Sequence, residues 1–227
     1  MSKVKKILIL IFFSQPVWAG EDSISADITI NDDTTNEQLI DDGANNITLI
    51  NNATINNADD NGSVRSFDGL TGVTVINNAG GIIKQDGSFD GVVFAEENIN
   101  FTLTNSGTIS SNDGQAINIK KTTNAVITNN AGGLLTAKRN TIRCTASCTN
   151  PTINNFGTIT GRQEGVIRLD KSTGMTVNNN VGGLIDGDGT DNLNTVEIGT
   201  NGTLINSGTI RRTVNGAPGL ENNLAAI

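Results

Sequence analysis

A short motif recurs seven times along the chain, and this repetition constrains the fold more than any other feature. The segments LINNATI, VINNAGGII, LTNSGTI, ITNNAGGLL, INNFGTI, NNNVGGLI and LINSGTI each place an asparagine four residues before an aliphatic residue. Successive asparagines are 25 to 27 residues apart, at Asn51, Asn78, Asn105, Asn130, Asn155, Asn180 and Asn206. A fixed period of this length is typical of a solenoid, in which each repeat buries its apolar face against its neighbours.

Aliphatic residues form three columns at the same period. The predicted core ladder consists of Ile55, Ile82, Ile109, Leu134, Ile159, Leu184 and Ile210. A second column holds Val92, Ile119, Cys144, Leu169 and Ile198, and a third holds Val75, Leu103, Ile127, Ile153, Val177 and Leu204. Three short apolar stretches per repeat, separated by Asn, Gly, Asp and Ser, predict three strands per repeat. A helical solenoid is disfavoured, because β-branched residues dominate the apolar positions and glycine interrupts every candidate helix.

We therefore predict an all-β, right-handed parallel β-helix of about seven three-strand rungs. Each recurring asparagine is expected at a corner between two faces, because Asn tolerates the left-handed backbone conformation that a corner needs. A glycine two residues later suits the same corner in six repeats. Stacked asparagines can also exchange amide hydrogen bonds along the axis, so the column is predicted to be a structural asparagine ladder.

The first residues predict export. Three lysines precede the apolar run 7–13, and Val17-Trp18-Ala19 before Gly20 is typical of a signal-peptidase site. The apolar run is too short to cross a membrane, which takes about 20 residues. We predict a signal peptide at residues 1–19, an acidic N-terminal cap region at 20–46 with one short strand at 28–30, and β-helix repeats at 47–227. The expected location is the periplasm, the cell surface or the extracellular space.

Composition disfavours several classes of function. Residues 1–19 hold three of the 15 basic residues and none of the 23 acidic ones, so the rest of the chain has a formal charge of −11. Nucleic acid and anionic membranes are therefore poor partners. The chain has no histidine, which excludes His-dependent triads and imidazole metal sites. We predict no enzyme activity, no cofactor and no metal.

The sequence contains four candidate sites: the cysteine pair, an acidic segment, a column of charged residues and the aromatic residues. Cys144 and Cys148 lie close together in an exported chain, which predicts a small disulfide loop. The acidic segment 186–191 is similar to a calcium loop but lacks the terminal Glu of an EF-hand, so a solvated insertion is expected. Arg143 and Arg168 are expected to point outward in successive rungs, with Glu197 next, as surface charge pairs. Aromatic platforms for sugars are few, since only Phe67, Phe89, Phe94, Phe101 and Phe156 follow the signal peptide.

The LINSGTI and NNAGGLL repeats behind a signal peptide resemble the passenger domains of Gram-negative autotransporters, the pertactin-like β-helices of type V secretion. The resemblance covers about residues 47–212 and implies surface exposure and, commonly, adhesion. Members of that family end in a translocating β-barrel, which has no counterpart before Ile227, so the repeats are expected to be truncated. An uncovered last coil has an unpaired edge, which favours end-to-end self-association.

Three functions follow from this interpretation. The first is an exported, surface-exposed passenger fragment that acts as a structural scaffold or adhesin for a host-surface or neighbouring-cell ligand. The second is a polysaccharide-degrading, lyase-type β-helix enzyme. The third is an inactive, truncated remnant. The absence of His and Tyr, and of Trp after the signal peptide, favours the first over the second.

Overall fold

The computed structural model describes residues 21–57, 61–87, 91–188, 194–214 and 217–218, and these residues form strands joined by turns. The predicted signal peptide and its cleavage site lie outside the described residues. The strands build three sheets, called here sheets A, B and C. Within the described part of the chain, no helix has the length and hydropathy needed to cross a membrane.

The strands are short and most contain four residues. Sheet A contains β1 (Glu21–Ile24), β3 (Glu37–Ile40), β6 (Val64–Ser66), β9 (Val93–Glu96), β12 (Ile117–Lys120), β15 (Ile142–Cys144), β16 (Cys148–Thr149), β19 (Ile167–Thr173) and β22 (Val196–Thr200). Sheet B contains β2 (Ile28–Ile30), β4 (Thr48–Asn51), β7 (Thr74–Asn77), β10 (Thr102–Asn105), β13 (Val126–Asn129), β17 (Thr152–Asn155), β20 (Thr176–Asn179) and β23 (Thr203–Asn206). Sheet C contains β5 (Thr54–Asn57), β8 (Ile82–Gln85), β11 (Thr108–Ser111), β14 (Leu134–Ala137), β18 (Thr158–Gly161), β21 (Leu184–Asp188), β24 (Thr209–Val214) and β25 (Ala217–Pro218).

The chain visits sheets A, B and C in that order in every repeat. Seven successive coils run from β3–β4–β5 to β22–β23–β24, so six full turns separate the first coil from the last, and β1 and β2 precede them. Strands of neighbouring coils pair in parallel, and among the described strands only β25 runs antiparallel, beside β24. The predicted parallel β-solenoid with three strands per repeat is confirmed.

The interior of the solenoid is filled by aliphatic side chains at alternate strand positions. The strands of sheet B typically bury their second and fourth residues and leave the first and third partly exposed, as the two-residue period of a strand requires. The predicted third column is confirmed, because its members are register partners in sheet B: Val75, Leu103, Ile127, Ile153, Val177 and Leu204. The second column is correct except at its first member, since Ala95, not Val92, pairs with Ile119.

The two predicted ladders between sheets B and C are wrong by one residue in every second coil. Asn51, Asn105, Asn155 and Asn206 lie in the ladder, but their register partners are Asn77, Asn129 and Asn179 instead of Asn78, Asn130 and Asn180. Likewise Ile55, Ile109, Ile159 and Ile210 are joined by Ile83, Leu135 and Ile185 instead of Ile82, Leu134 and Leu184. The displaced aliphatic residues are partly exposed.

The reason is that the corner between sheets B and C, called here the B–C corner, alternates between two lengths. In the short form the aliphatic residue comes four positions after the buried asparagine, as from Asn105 to Ile109, and in the long form six positions after it, as from Asn129 to Leu135. A fixed offset of four therefore misplaces both ends of each long corner by one residue. The long corners contain Gly80, Gly132 and Gly182, whose φ values of 84–85° are readily adopted only by glycine.

The ladder asparagines stack as predicted, but their backbone is not left-handed. Each buried amide donates to the amide oxygen of the next coil, over N–O distances of 2.8–3.0 Å. None of the described ladder residues has a positive φ. At the B–C corner positive φ is confined, among the described residues, to the glycines of the long form. Asparagines with left-handed backbone lie between sheets A and B, at the A–B corner, in a column made of Asn46, Gly72, Asn100, Asn124, Asn150, Gly174 and Asn201.

The two ends of the solenoid also differ from expectation. Residues 21–46, predicted to contain one short strand, contain three, and β1 and β3 extend sheet A to the first described residue. At the other end β25 pairs with the last two residues of β24, through Thr213–Pro218 and Val214–Ala217, which is a short element that was not predicted. Residues 219–227 lie outside the described part of the chain.

Candidate functional site

The outer face of sheet A differs from that of sheet B in its charge. None of the described strands of sheet B contains an ionisable residue, whereas the strands of sheet A carry both acidic and basic ones. One outward column of sheet A passes through consecutive coils in register and consists of Arg65, Phe94, Asn118, Arg143, Arg168 and Glu197. Side chains with different chemistry are therefore stacked at the strand spacing of about 4.8 Å.

A groove of about 370 Å³ opens on this face and is called here the sheet A groove. It crosses four coils, from the end of β6 to the residue after β15. Its walls are formed by Arg65, Phe67, Phe94, Glu96, Asn118, Lys120 and Thr145. The groove combines an aromatic part at one end with hydrogen-bonding groups at the other.

The aromatic end is built by Phe67 and Phe94. Their ring centroids are 5.4 Å apart and the rings are tilted by 54°, a geometry in the favourable range for aromatic pairs. The guanidinium carbon of Arg65 lies 4.3 Å from the centroid of Phe67, which is a cation–π contact. Phe94 is nearly buried and Phe67 is partly exposed, so Phe67 offers the accessible aromatic surface.

Arg65 is held in place by a buried carboxylate. Its Nη1 lies 2.7 Å from Oε1 of Glu37, a residue of the neighbouring coil that is 2% exposed. Burial raises the pKa of Glu37, and the charge of Arg65 and its hydrogen bond oppose that rise. The ion pair therefore compensates a desolvated carboxylate and fixes the guanidinium above the Phe67 ring.

The polar end is also internally paired. Lys120 Nζ lies 2.6 Å from Oε1 of Glu96 on the adjacent strand. The hydroxyl of Thr145 donates to Oδ1 of Asn118 over 3.0 Å. Each lysine or arginine in the groove wall thus faces a carboxylate, and the groove carries both hydrogen-bond donors and acceptors without a net excess of either charge.

The predicted disulfide closes the loop that contains the wall residue Thr145. Cys144 and Cys148 are joined, and both are buried. Between them residues 145–147 interrupt sheet A, which separates β15 from β16 while β19 of the next coil runs on as one strand. Thr145 lies in this loop, so the disulfide holds one wall residue of the groove.

The remaining predicted sites lie elsewhere. Arg143 and Arg168 are register neighbours as predicted, and Arg168 Nε lies 3.1 Å from Oε2 of Glu197. Asp186, the first residue of the acidic segment, accepts a hydrogen bond of 2.7 Å from Nη2 of Arg211. Residues 189–191 lie outside the described part. Among the described residues, no group of three or more His, Cys, Asp or Glu is placed to hold a metal ion.

Sequence reasoning did not find the sheet A groove. Phe67 and Phe94 are 27 residues apart, which is one repeat, and the outward column was recognised only from Arg143 onward. Asn118 precedes Ile119 as Arg143 precedes Cys144, but its amide gave no reason to extend the charged column. Phe94 was hidden because the second aliphatic column contains Ala95 and not the predicted Val92, and Arg65 belongs to a coil for which that column had no predicted member. Of the other phenylalanines, Phe101 packs in the core and Phe156 is 41% exposed.

Comparison with known proteins adds no assignment, because no family model, curated protein or solved structure matches the chain. What the groove can do chemically follows from its own residues. It presents a partly exposed ring and a hydroxyl that follow strands β6 and β15, and an ion pair on β9 and β12, which is an arrangement suited to binding a ligand.

Proposed function

We propose that the chain is an exported adhesion scaffold that binds its ligand in the sheet A groove. The observation that carries the proposal is the groove itself, where one aromatic surface and several hydrogen-bonding groups from four successive coils lie side by side. In this proposal the chain binds its ligand without transforming it. The ligand belongs to a host surface or to a neighbouring cell.

The solenoid supports this function by keeping the groove rigid. Strands β6, β9, β12 and β15 pair with one another in continuous register, and the side chains beneath them belong to one buried aliphatic cluster. Binding residues on rigid strands lose little conformational freedom when a ligand binds, which favours affinity. A stack of coils also displays such a face over a long distance.

Export is supported by two features. The first 19 residues have the pattern of a signal peptide. The Cys144–Cys148 disulfide fits an oxidising compartment, where such bonds form and persist. The likeness of the repeats to autotransporter passenger domains favours the cell surface as the final location. A fusion of residues 1–30 to alkaline phosphatase, which is active only outside the cytoplasm, should gain activity, whereas the same fusion without residues 1–19 should not.

An adhesion assay tests the binding function. Fluorescent beads coated with the exported, oxidised chain are applied to layers of epithelial cells and to lawns of other bacteria. We expect the beads to be retained on at least one surface, and Phe67→Ala to reduce retention at least fivefold. Phe156→Ala, which removes an exposed ring at the B–C corner that does not line the groove, should leave retention unchanged. Equal retention with both variants, or none above beads coated with albumin, would show that the groove is not an adhesion site.

A further inference from the structure

We propose that the sheet A groove recognises a neutral, linear oligosaccharide that lies along the solenoid axis, with about one sugar residue per coil. This inference rests on the proposed function and adds to it the chemical class of the ligand. Four observations support it: the direction of the groove, its partly exposed ring, the pairing of its charges and the hydrogen bonds that already occupy the backbone of its strands.

The direction of the groove follows from the coils that supply its walls. Phe67 follows β6, Glu96 ends β9, Lys120 ends β12 and Thr145 follows β15, so the groove runs across the strands along the axis. Parallel strands repeat at about 4.8 Å. This spacing is close to the length of one hexose in an extended glycan, so successive sugars would meet equivalent positions of successive coils.

The aromatic end suits the apolar face of a sugar ring. Arg65 and Phe94 both contact Phe67 and hold its orientation, while Phe67 stays partly exposed. An aromatic ring whose position is fixed before binding offers a stacking surface at low entropic cost. The C–H groups on one face of a pyranose pack on such a surface, while its hydroxyls remain free to hydrogen-bond.

The ion pairs of the groove favour a neutral ligand over a charged one. Lys120 is paired with Glu96, and Arg65 with Glu37. A carboxylate or phosphate on the ligand would compete with these protein carboxylates for the same cations and would face their repulsion. Hydroxyl groups both donate and accept, so they can hydrogen-bond to the partly exposed Thr145 and Glu96 without displacing an ion pair.

The backbone disfavours an extended peptide. Peptides that bind to sheets usually add a strand at an open edge and pair with free main-chain groups. The groove lies on the face of sheet A, and β9 and β12, which form its middle, are each paired on both sides. A peptide in the groove would therefore lack main-chain partners on these strands, whereas a glycan needs only side-chain contacts.

Calorimetric titration of the exported, oxidised chain tests the inference. The probes are neutral β-linked glucose and N-acetylglucosamine oligomers of two to six residues, matched uronate oligomers, and an unstructured hexapeptide. We expect binding by a neutral series, with affinity that rises from two to four residues and then levels off. A matched uronate oligomer should bind at least tenfold more weakly.

Variants locate the site. Phe67→Ala should weaken binding at least tenfold, Thr145→Val about threefold, and Phe156→Ala should not change it. Circular dichroism must give the same β spectrum for each variant, and Phe67→Leu, which keeps an apolar side chain without a ring face, replaces Phe67→Ala if the latter does not fold. Stronger binding of uronates or of the peptide, no dependence on length, or no effect of either Phe67 variant would overturn the inference.

The two proposals can fail separately. If coated beads adhere in a Phe67-dependent way but no neutral oligosaccharide binds or competes, the adhesion function stands and the glycan inference is wrong. If adhesion does not depend on Phe67, the proposed function is wrong, whatever the titrations give.

Discussion

Asparagine forms a column at two corners of the solenoid, and the two columns are selected for different physical reasons. At the B–C corner the ladder asparagines are buried in all coils but the last, and each side chain between the first and the last is hydrogen-bonded to its neighbours above and below. At the A–B corner the asparagines are exposed and their backbone has φ of 51–57°. The first column needs the amide group, and the second needs a residue that tolerates left-handed backbone.

The substitutions that already occur in the chain support this distinction. The A–B column contains glycine at Gly72 and Gly174, with φ of 73° and 70°, so the side chain can be dispensed with there. The B–C ladder contains asparagine in all seven coils, since a missing amide would leave the coils on both sides without a partner. Asparagine thus recurs at both corners with the same period but for two different physical reasons. The free energies of unfolding of substituted variants can separate these reasons.

The largest expected effect is loss of an amide from the middle of the ladder. Asn105→Ala removes the acceptor of the Asn77 amide and the donor to the Asn129 oxygen, both buried. The Asn129 oxygen would lose this donor, whereas the Asn77 amide would keep its longer contacts with the backbone oxygens of Gly81 and Thr108. An unsatisfied buried polar group costs about 1–3 kcal/mol and a lost hydrogen bond about 1 kcal/mol, so the free energy of unfolding should fall by about 2–4 kcal/mol. Urea denaturation followed by far-UV circular dichroism measures the change.

The matched control is Asn130→Ala, one residue from the ladder. The Asn130 amide donates to the Ser106 hydroxyl over 2.9 Å in a partly exposed position, so its loss should cost less than about 1 kcal/mol. Similar losses for the two variants would mean that the buried ladder contributes no more than surface hydrogen bonds do, and the distinction between the corners would fail.

The sequence predicted the existence of these columns better than their register. Periodic aliphatic residues were sufficient for the fold, because a β-branched column at a period of 25 to 27 residues has few other arrangements that bury it. The register failed at Asn78 and Ile82 because a two-residue insertion inside a corner leaves the motif and the period almost unchanged. Gly80-Gly81 was the available signal, since the short corners contain at most one glycine.

A smaller effect is expected at the A–B corner, with the opposite response to glycine. Asn124 has φ of 55°, and alanine in this conformation costs about 1–2 kcal/mol, so Asn124→Ala should destabilise by about that amount. Asn124→Gly should be nearly neutral, because glycine adopts positive φ without steric cost. Asn105→Gly, in contrast, should be at least as harmful as Asn105→Ala.

Denaturation of these four variants completes the comparison. A destabilisation by Asn124→Gly as large as that by Asn124→Ala would mean that the exposed amide of Asn124, which donates over 3.3 Å to Asn100, matters more than the backbone conformation.

The candidate site was harder to predict than the fold, since its residues share no motif. Phe67, Glu96 and Lys120 are separated by whole repeats and are brought together only by the stacking of coils. They can be located only when the register of sheet A is known. Placing Val92 instead of Ala95 in the second aliphatic column shifts the predicted outward positions of that strand. The disulfide was predictable because it is local, with three residues between the cysteines.

The smallest expected effect distinguishes the two corners by their response to pH. Glu97 and Lys121 lie at the A–B corner with φ of 58° and 53°, and the carboxylate and the ammonium group are 2.6 Å apart. The hydrogen bond from Lys121, and then its charge, hold the pKa of Glu97 below its usual value of 4.5, while the same contact raises the pKa of Lys121 above 10.5. The lowered pKa of Glu97 means that the ionised carboxylate stabilises the fold above pH 4.5, and this stabilisation is lost as the pH falls through the folded-state pKa. The raised pKa of Lys121 means that the charged ammonium group stabilises the fold below pH 10.5, and this stabilisation is lost as the pH rises through the folded-state pKa.

Glu97→Gln should therefore be slightly less stable than the wild type at pH 7, and the difference should vanish toward pH 3 and in 1 M NaCl, which screens exposed charges. The effect of Asn105→Ala should stay constant over the same conditions, because amides do not titrate. If the stability difference between Glu97→Gln and the wild type persists at pH 3, Glu97 contributes through its shape and hydrogen bonding and not through its charge. The stability of the A–B corner would then be independent of pH, like that of the B–C corner.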